Sequence, residues 1–87
     1  MSAQPNDEIE ALITELKKNE RLGETAYENM YEVKPYLVKD CYDDARSFFS
    51  KAIDAAKCAG LENEAARLTA RRDDIIAVYN NQFRGIG

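Results

Sequence analysis

General acid–base chemistry needs two carboxylates that face one cleft from different surroundings. The chain offers three adjacent acidic pairs: Asp7 with Glu8, Asp43 with Asp44, and Asp73 with Asp74. Neighbours on a helix point about 100° apart, so none of these pairs converges on one atom. They read as solvated helix surface and caps. Ser47, Ser50, Thr14 and Thr69 are hydroxyl groups with no histidine to activate them, because the 87 residues contain none. The same absence removes the commonest metal ligand. It also removes the Glu-x-x-His pair that a di-metal carboxylate bundle requires. The glycines stand at Gly23, Gly60, Gly85 and Gly87, a spacing that forms no phosphate-cradling loop. These residues predict a chain that is not an enzyme and that uses no metal or cofactor.

Cys41 and Cys58 are seventeen residues apart, which is neither a redox pair nor a zinc pair. On one helix they would lie roughly 25 Å from each other, too far for a disulfide. Two reduced thiols predict a cytoplasmic location. Arg71 and Arg72 form a lone basic pair, a wet helix face or a contact for an acidic peptide. The aromatic residues carry more information. Six of the eight fall between positions 27 and 49: Tyr27, Tyr31, Tyr36, Tyr42, Phe48 and Phe49. Most of them are needed as core. Tyr27 and Tyr31, with Lys34, share a face beside an apolar stripe, and one helix of a thin domain cannot easily bury both. Exposed tyrosine suits an interface, offering large area, low entropy cost and a polar end. Tyr27, Tyr31, Lys34, Arg71 and Arg72 are therefore the candidate partner-binding residues.

The elements that must position these groups follow from periodicity. Residues 1–6 read as a flexible tail, residues 7–84 as a single helical domain, and residues 85–87 as a second tail. Asp7 and Glu10 resemble a capping box. Ile9, Leu12, Ile13 and Leu16 then make one helical stripe. Gly23 predicts a stop, giving a first helix over about 7–22. Thr25 and Glu28 form a second capping box, followed by the stripe Ala26, Met30, Val33 and Leu37. Pro35 interrupts this second helix. The stripe continuing to Leu37 favours a kink and an end near Lys39. Asp40 predicts the cap of a third helix over about 41–59, with the stripe Tyr42, Ala45, Phe48 or Phe49, Ala52, Ile53 and Ala56. Gly60 stops it, with Leu61 folding back on Ala56. Asn63 predicts the next cap, and Leu68, Ile75 or Ile76, Tyr79 and Phe83 line a last helix ending at Gly85. No segment alternates as a strand does. The fold class is all-α, a small antiparallel bundle of about four helices.

Charge narrows the partners. Twelve basic and sixteen acidic residues leave a net charge of −4. That balance argues against nucleic acid and against an anionic membrane. No apolar run approaches the roughly 20 residues that a membrane helix needs. The segment from Met1 to Glu8 has no basic start or apolar stretch, so no secretory signal is expected. Residues 1–44 carry eleven acids and five bases, and residues 45–87 carry five acids and seven bases. The two halves are thus complementary, either to each other within the fold or head to tail between molecules.

The run from Asp40 to Ile53 resembles the second helix of a tetratricopeptide repeat. Tyr42, Ala45, Phe49 and Ala52 stand where that family places aromatic, small, aromatic and alanine. In the preceding segment only Tyr36 fits. Asn29, Glu32 and Val33 stand at the family's Trp, Leu and Gly positions, Pro35 lies inside the helix, and Lys57 replaces the closing proline. The same Tyr42-to-Ala52 pattern, followed by a long helix ending in an aromatic, also resembles the microtubule-interacting-and-trafficking domain. That family is a three-helix bundle of similar length that binds helical peptides between its helices. Both resemblances imply protein binding and neither implies catalysis. The expected function is a protein–protein interaction module or small adaptor with a tetratricopeptide-like central hairpin. The alternative is a homodimeric structural or regulatory subunit.

Overall fold

A computed structural model describes residues 5–85 of the chain, with the side chains described from Asp7 onward. Helix α1 runs over Pro5–Asn29, α2 over Val38–Cys58 and α3 over Glu62–Val78. A short 3-10 turn, Pro35–Leu37, precedes α2, and a π-helical turn, Tyr79–Phe83, extends α3. No strand occurs among the described residues. The chain is all-α, with three helices where four were expected.

The difference lies at Gly23. It ends nothing, because α1 continues through it for six more residues. Glycine costs a helix interior about 1 kcal/mol relative to alanine. Here the bare backbone is occupied. A β-carbon added at Gly23 would stand 2.7 Å from two ring carbons of Phe49, which is fully buried. The ring of α2 needs the space that a side chain on α1 would fill. Thr25 and Glu28 consequently sit inside α1, not at a cap. The expected first and second helices are one.

The kink expected at Pro35 is also absent. The chain leaves α1 through i→i+3 bonds, Met30 N–H to Tyr27 C=O (3.1 Å) and Tyr31 N–H to Glu28 C=O (3.1 Å). Lys34 is extended, with φ −64° and ψ 151°, as the residue before a proline must be. Pro35 then opens the 3-10 turn, where its missing N–H costs nothing. Leu37 no longer continues a stripe and is exposed. Helix α2 begins at Val38, so Asp40 lies in its first turn. Its charge favours that end of the helix without capping it. Asn63 is likewise inside α3, whose cap residue is Leu61 and makes no side-chain bond.

The end of α2 matches its expectation. Gly60 takes φ +75°, Leu61 N–H bonds Ala56 C=O at 2.8 Å, and Gly60 N–H bonds Lys57 C=O at 3.1 Å. This is the Schellman closure. The expected tails are only partly visible. Pro5 and Asn6 open α1, residues 1–4 and 86–87 lie outside the described residues, and Gly85 follows the π turn.

Helix α2 is the central element. Ala45, Ala52 and Ala56 are fully buried on it, and these small side chains let both neighbours approach closely. Leu16, Gly23 and Ala26 face it from α1 and Met30 (1% exposed) from the turn that follows, and Leu68 and Ile75 complete the core from α3. Helix α2 runs antiparallel to both others. Helices α1 and α3 are parallel, as two ion pairs of equal spacing show: Glu20 with Arg67 (2.7 Å) and Glu24 with Arg71 (2.7 Å). Glu64 also receives Arg67, at 2.9 Å. The two interhelical pairs fix register and contribute at most about 1 kcal/mol each.

Both cysteines lie on α2 as free thiols, Cys41 half-buried and Cys58 exposed. Burial, then the nearby carboxylates of Asp44 and Asp40, push the Cys41 thiol above its ordinary range. Its thiolate is therefore scarcer at neutral pH. Alkylation of the native protein near pH 8, followed by peptide mapping, should modify Cys58 well before Cys41. Faster labelling of Cys41 would mean that its end of α2 opens.

Candidate functional site

The aromatic residues gather at the end of the bundle where α1 stops, α2 starts and α3 finishes. Each is carried there by a different element. Tyr27 lies in the last turn of α1, Tyr31 in the turn after it, Tyr36 in the 3-10 turn, Tyr42 on α2, and Tyr79 and Phe83 in the π turn. The π turn inserts an extra residue per turn, and Phe83 is buried at its end.

Tyr27 and Tyr31 are four residues apart. Their hydroxyls share a hydrogen bond of 3.0 Å and their rings meet edge to face, with centroids 5.6 Å apart. The hydrogen bond to Tyr31, then burial, hold the Tyr27 phenol above its ordinary range, so this phenol is neutral at physiological pH. Arg71 places its guanidinium 5.1 Å from the Tyr27 ring centre, and Glu24 holds it there through two hydrogen bonds of 2.7 and 2.8 Å. Tyr31 continues the cluster by packing edge-on against Phe83, at 5.0 Å between centroids. Tyr31 is nonetheless 54% exposed.

Of the five candidate residues, the structure brings Tyr27, Tyr31 and Arg71 into one cluster. Lys34 is exposed in the turn that follows Tyr31. Arg72 is elsewhere. It turns toward α2, where its Nη1 donates to Ser50 Oγ at 3.2 Å, and its Nε is buried without a partner. Adjacent residues on α3 point to different neighbours, so the basic pair divides between two faces.

Beyond Phe83 lies a cleft of about 310 Å³ lined by Pro35, Tyr36, Val38, Lys39, Tyr79, Phe83 and Arg84. Tyr36 stands at its edge, 71% exposed. Tyr79 stacks flat on Tyr42, 3.8 Å between centroids and 3° between planes. Lys39 and Arg84 are the charged lining residues. Lys39 and Arg46 both bind Asp43 at 3.0 Å, and these bonds, Lys39 first, hold the Asp43 carboxyl below its usual range. Arg84 makes no ion pair among the described residues. The cleft escaped sequence reasoning because its walls are brought together by the 3-10 and π turns, which leave no periodic signal. The proline was the one usable sign.

This end of the molecule can bind through aromatic area, hydroxyls and cations. Among the described residues, no three Cys, Asp or Glu side chains are grouped to hold a metal ion. No helix among them is long and apolar enough to cross a membrane. In comparison with known proteins, no family model, no curated protein sequence and no solved structure matches the chain.

Proposed function

We propose that the chain is a non-catalytic protein–protein interaction module, a small cytoplasmic adaptor, that docks its partner on the aromatic end of the bundle. The observation that carries this reading is the exposure of two tyrosines, Tyr31 at 54% and Tyr36 at 71%, on the same end. Monomeric domains expose isolated apolar side chains routinely, but adjoining aromatics with polar tips are the stuff of interface centres. Lys34, Arg84 and the Arg71-supported Tyr27 surround them with cations and hydroxyls, which suits a partner bearing carboxylates. The count of three helices supports the microtubule-interacting-and-trafficking resemblance over the tetratricopeptide one, since the latter is built of helix pairs.

The test is a comparison of wild type with Tyr31→Ala as baits in extracts of the source cell. Tyr31 is mostly exposed, so its removal should leave helix content unchanged by circular dichroism and shift stability little. Central interface tyrosines cost about 1–2 kcal/mol or more when truncated. Recovery of a bound protein should therefore fall about tenfold or more. A partner recovered equally by both baits would move the docking surface elsewhere.

A further inference from the structure

We infer that copies of this chain associate head to tail, the acidic start of α1 in one copy seating in the aromatic cleft of the next. The cleft shares Tyr36 and Arg84 with the docking surface proposed above, while Tyr31 lies outside its lining. Helix α1 is longer than both of its neighbours. Gly23 lies against Phe49, and the last residue of α2, Cys58, is nine residues past Phe49. With the two helices antiparallel, α2 ends about level with residue 14 of α1. The Glu20–Arg67 pair places the start of α3, Glu62, about level with residue 15. Helix α1 begins at Pro5 and Leu12 still packs against the core, so its first seven residues, about 10 Å of helix, extend past both neighbours.

That overhang and the turn after it carry an apolar edge, of which Leu12 meets the core. Ile9 is 39% exposed, and Leu12 and Ile13, three and four residues on, are only half-buried. Asp7, Glu8 and Glu10 are exposed beside them, and the first base in the sequence is Lys17. At the opposite end of the bundle is a cleft with the reverse character. Its walls are aromatic and aliphatic, and of its two charged residues Lys39 is bound to Asp43 while Arg84 makes no ion pair among the described residues. At about 310 Å³ it falls at the small end of sites that hold a ligand. That volume suits a few aliphatic side chains from one helix turn. An acidic helix turn with an exposed isoleucine is the ligand this cleft's chemistry fits, and each molecule carries one.

Two different patches in contact make a heterologous interface, which propagates unless the rotation closes a ring. Charge attraction between exposed groups weakens with salt. The test is sedimentation equilibrium of the full chain at low and high salt, with two variants that keep the fold. Asp7→Lys with Ile9→Lys blocks the overhang, and Tyr36→Glu with Arg84→Glu blocks the cleft. All four positions are exposed, and circular dichroism checks each variant. Wild type should exceed dimer mass as concentration rises and should dissociate as salt rises. Each variant alone should be monomeric where wild type associates, at least tenfold weaker. An equimolar mixture should stop at a dimer, because only one good cleft meets one good overhang. A wild type monomeric throughout would overturn the inference. So would either variant still self-associating, or a closed wild-type dimer indifferent to both blocks. Tyr31→Ala should assemble as wild type does, so loss of partner docking and loss of assembly are separable.

Discussion

Phe49→Ala is expected to unfold much of the protein. The ring is fully buried between α1 and α2, and it fills the notch left by Gly23. Truncating a buried phenylalanine costs about 3–5 kcal/mol, part transfer and part cavity. A chain of 87 residues has roughly 4–13 kcal/mol of stability in total. The substitution therefore removes about a quarter of it or more. In a domain of this size, each kcal/mol shifts the melting temperature by about 4–8 °C. A fall of more than about 12 °C in thermal unfolding is the expected reading. Alanine cannot fill the notch by relaxation, because the facing residue has no side chain to move in. A fall of only a few degrees would mean that α1 and α2 do not meet through this ring.

Gly23→Ala should destabilise, against the ordinary rule. In a solvent-facing helix the change stabilises by about 1 kcal/mol. Here the new methyl group would meet Phe49 ring carbons at 2.7 Å, and the ring is fully buried. Overpacking of this kind costs about 1–3 kcal/mol, so the net sign reverses, and Gly23→Val should cost more. Urea denaturation measures it directly. The control is the same change in a Phe49→Leu background, where the clash is relieved and alanine should become neutral or stabilising. A shared sign in both backgrounds would show that Gly23 and Phe49 are not coupled.

The fold class, the boundary at Gly60 and most of the core were legible because periodicity reports a face directly. Phe49 and Ala45, Ala52 and Ala56 sit where the stripe placed them. Gly23 was misread for a physical reason. A glycine that ends a helix and one that admits a neighbour's ring look alike until the neighbour is known. The four-helix expectation followed from that residue together with the capping-box pattern of Thr25 and Glu28 just after it. Pro35 was ambiguous in the same way, since a kink and a restart both begin with a missing donor. Its exposed Leu37 shows that a stripe can persist in sequence after the helix has stopped. Ile9 is a related case: its stripe is helical, but the helices beside α1 end before they reach it. Of the candidate residues, the Tyr27–Tyr31 pair was readable from its spacing. The pairing of Arg71 with Glu24, and the turning of Arg72 toward Ser50, depend on how α3 sits in the bundle.

The central claim is that the aromatic end of the bundle receives another polypeptide. Site-specific photo-crosslinking in living cells tests it most directly. A photoreactive aromatic residue at position 31 keeps the shape of the exposed tyrosine, and one at position 73 samples an exposed face of α3 outside the aromatic end. The account expects a discrete adduct with a protein from position 31, absent or at least tenfold weaker from position 73. Adducts equal at both positions, or none from position 31 with the folded chain present, would contradict it.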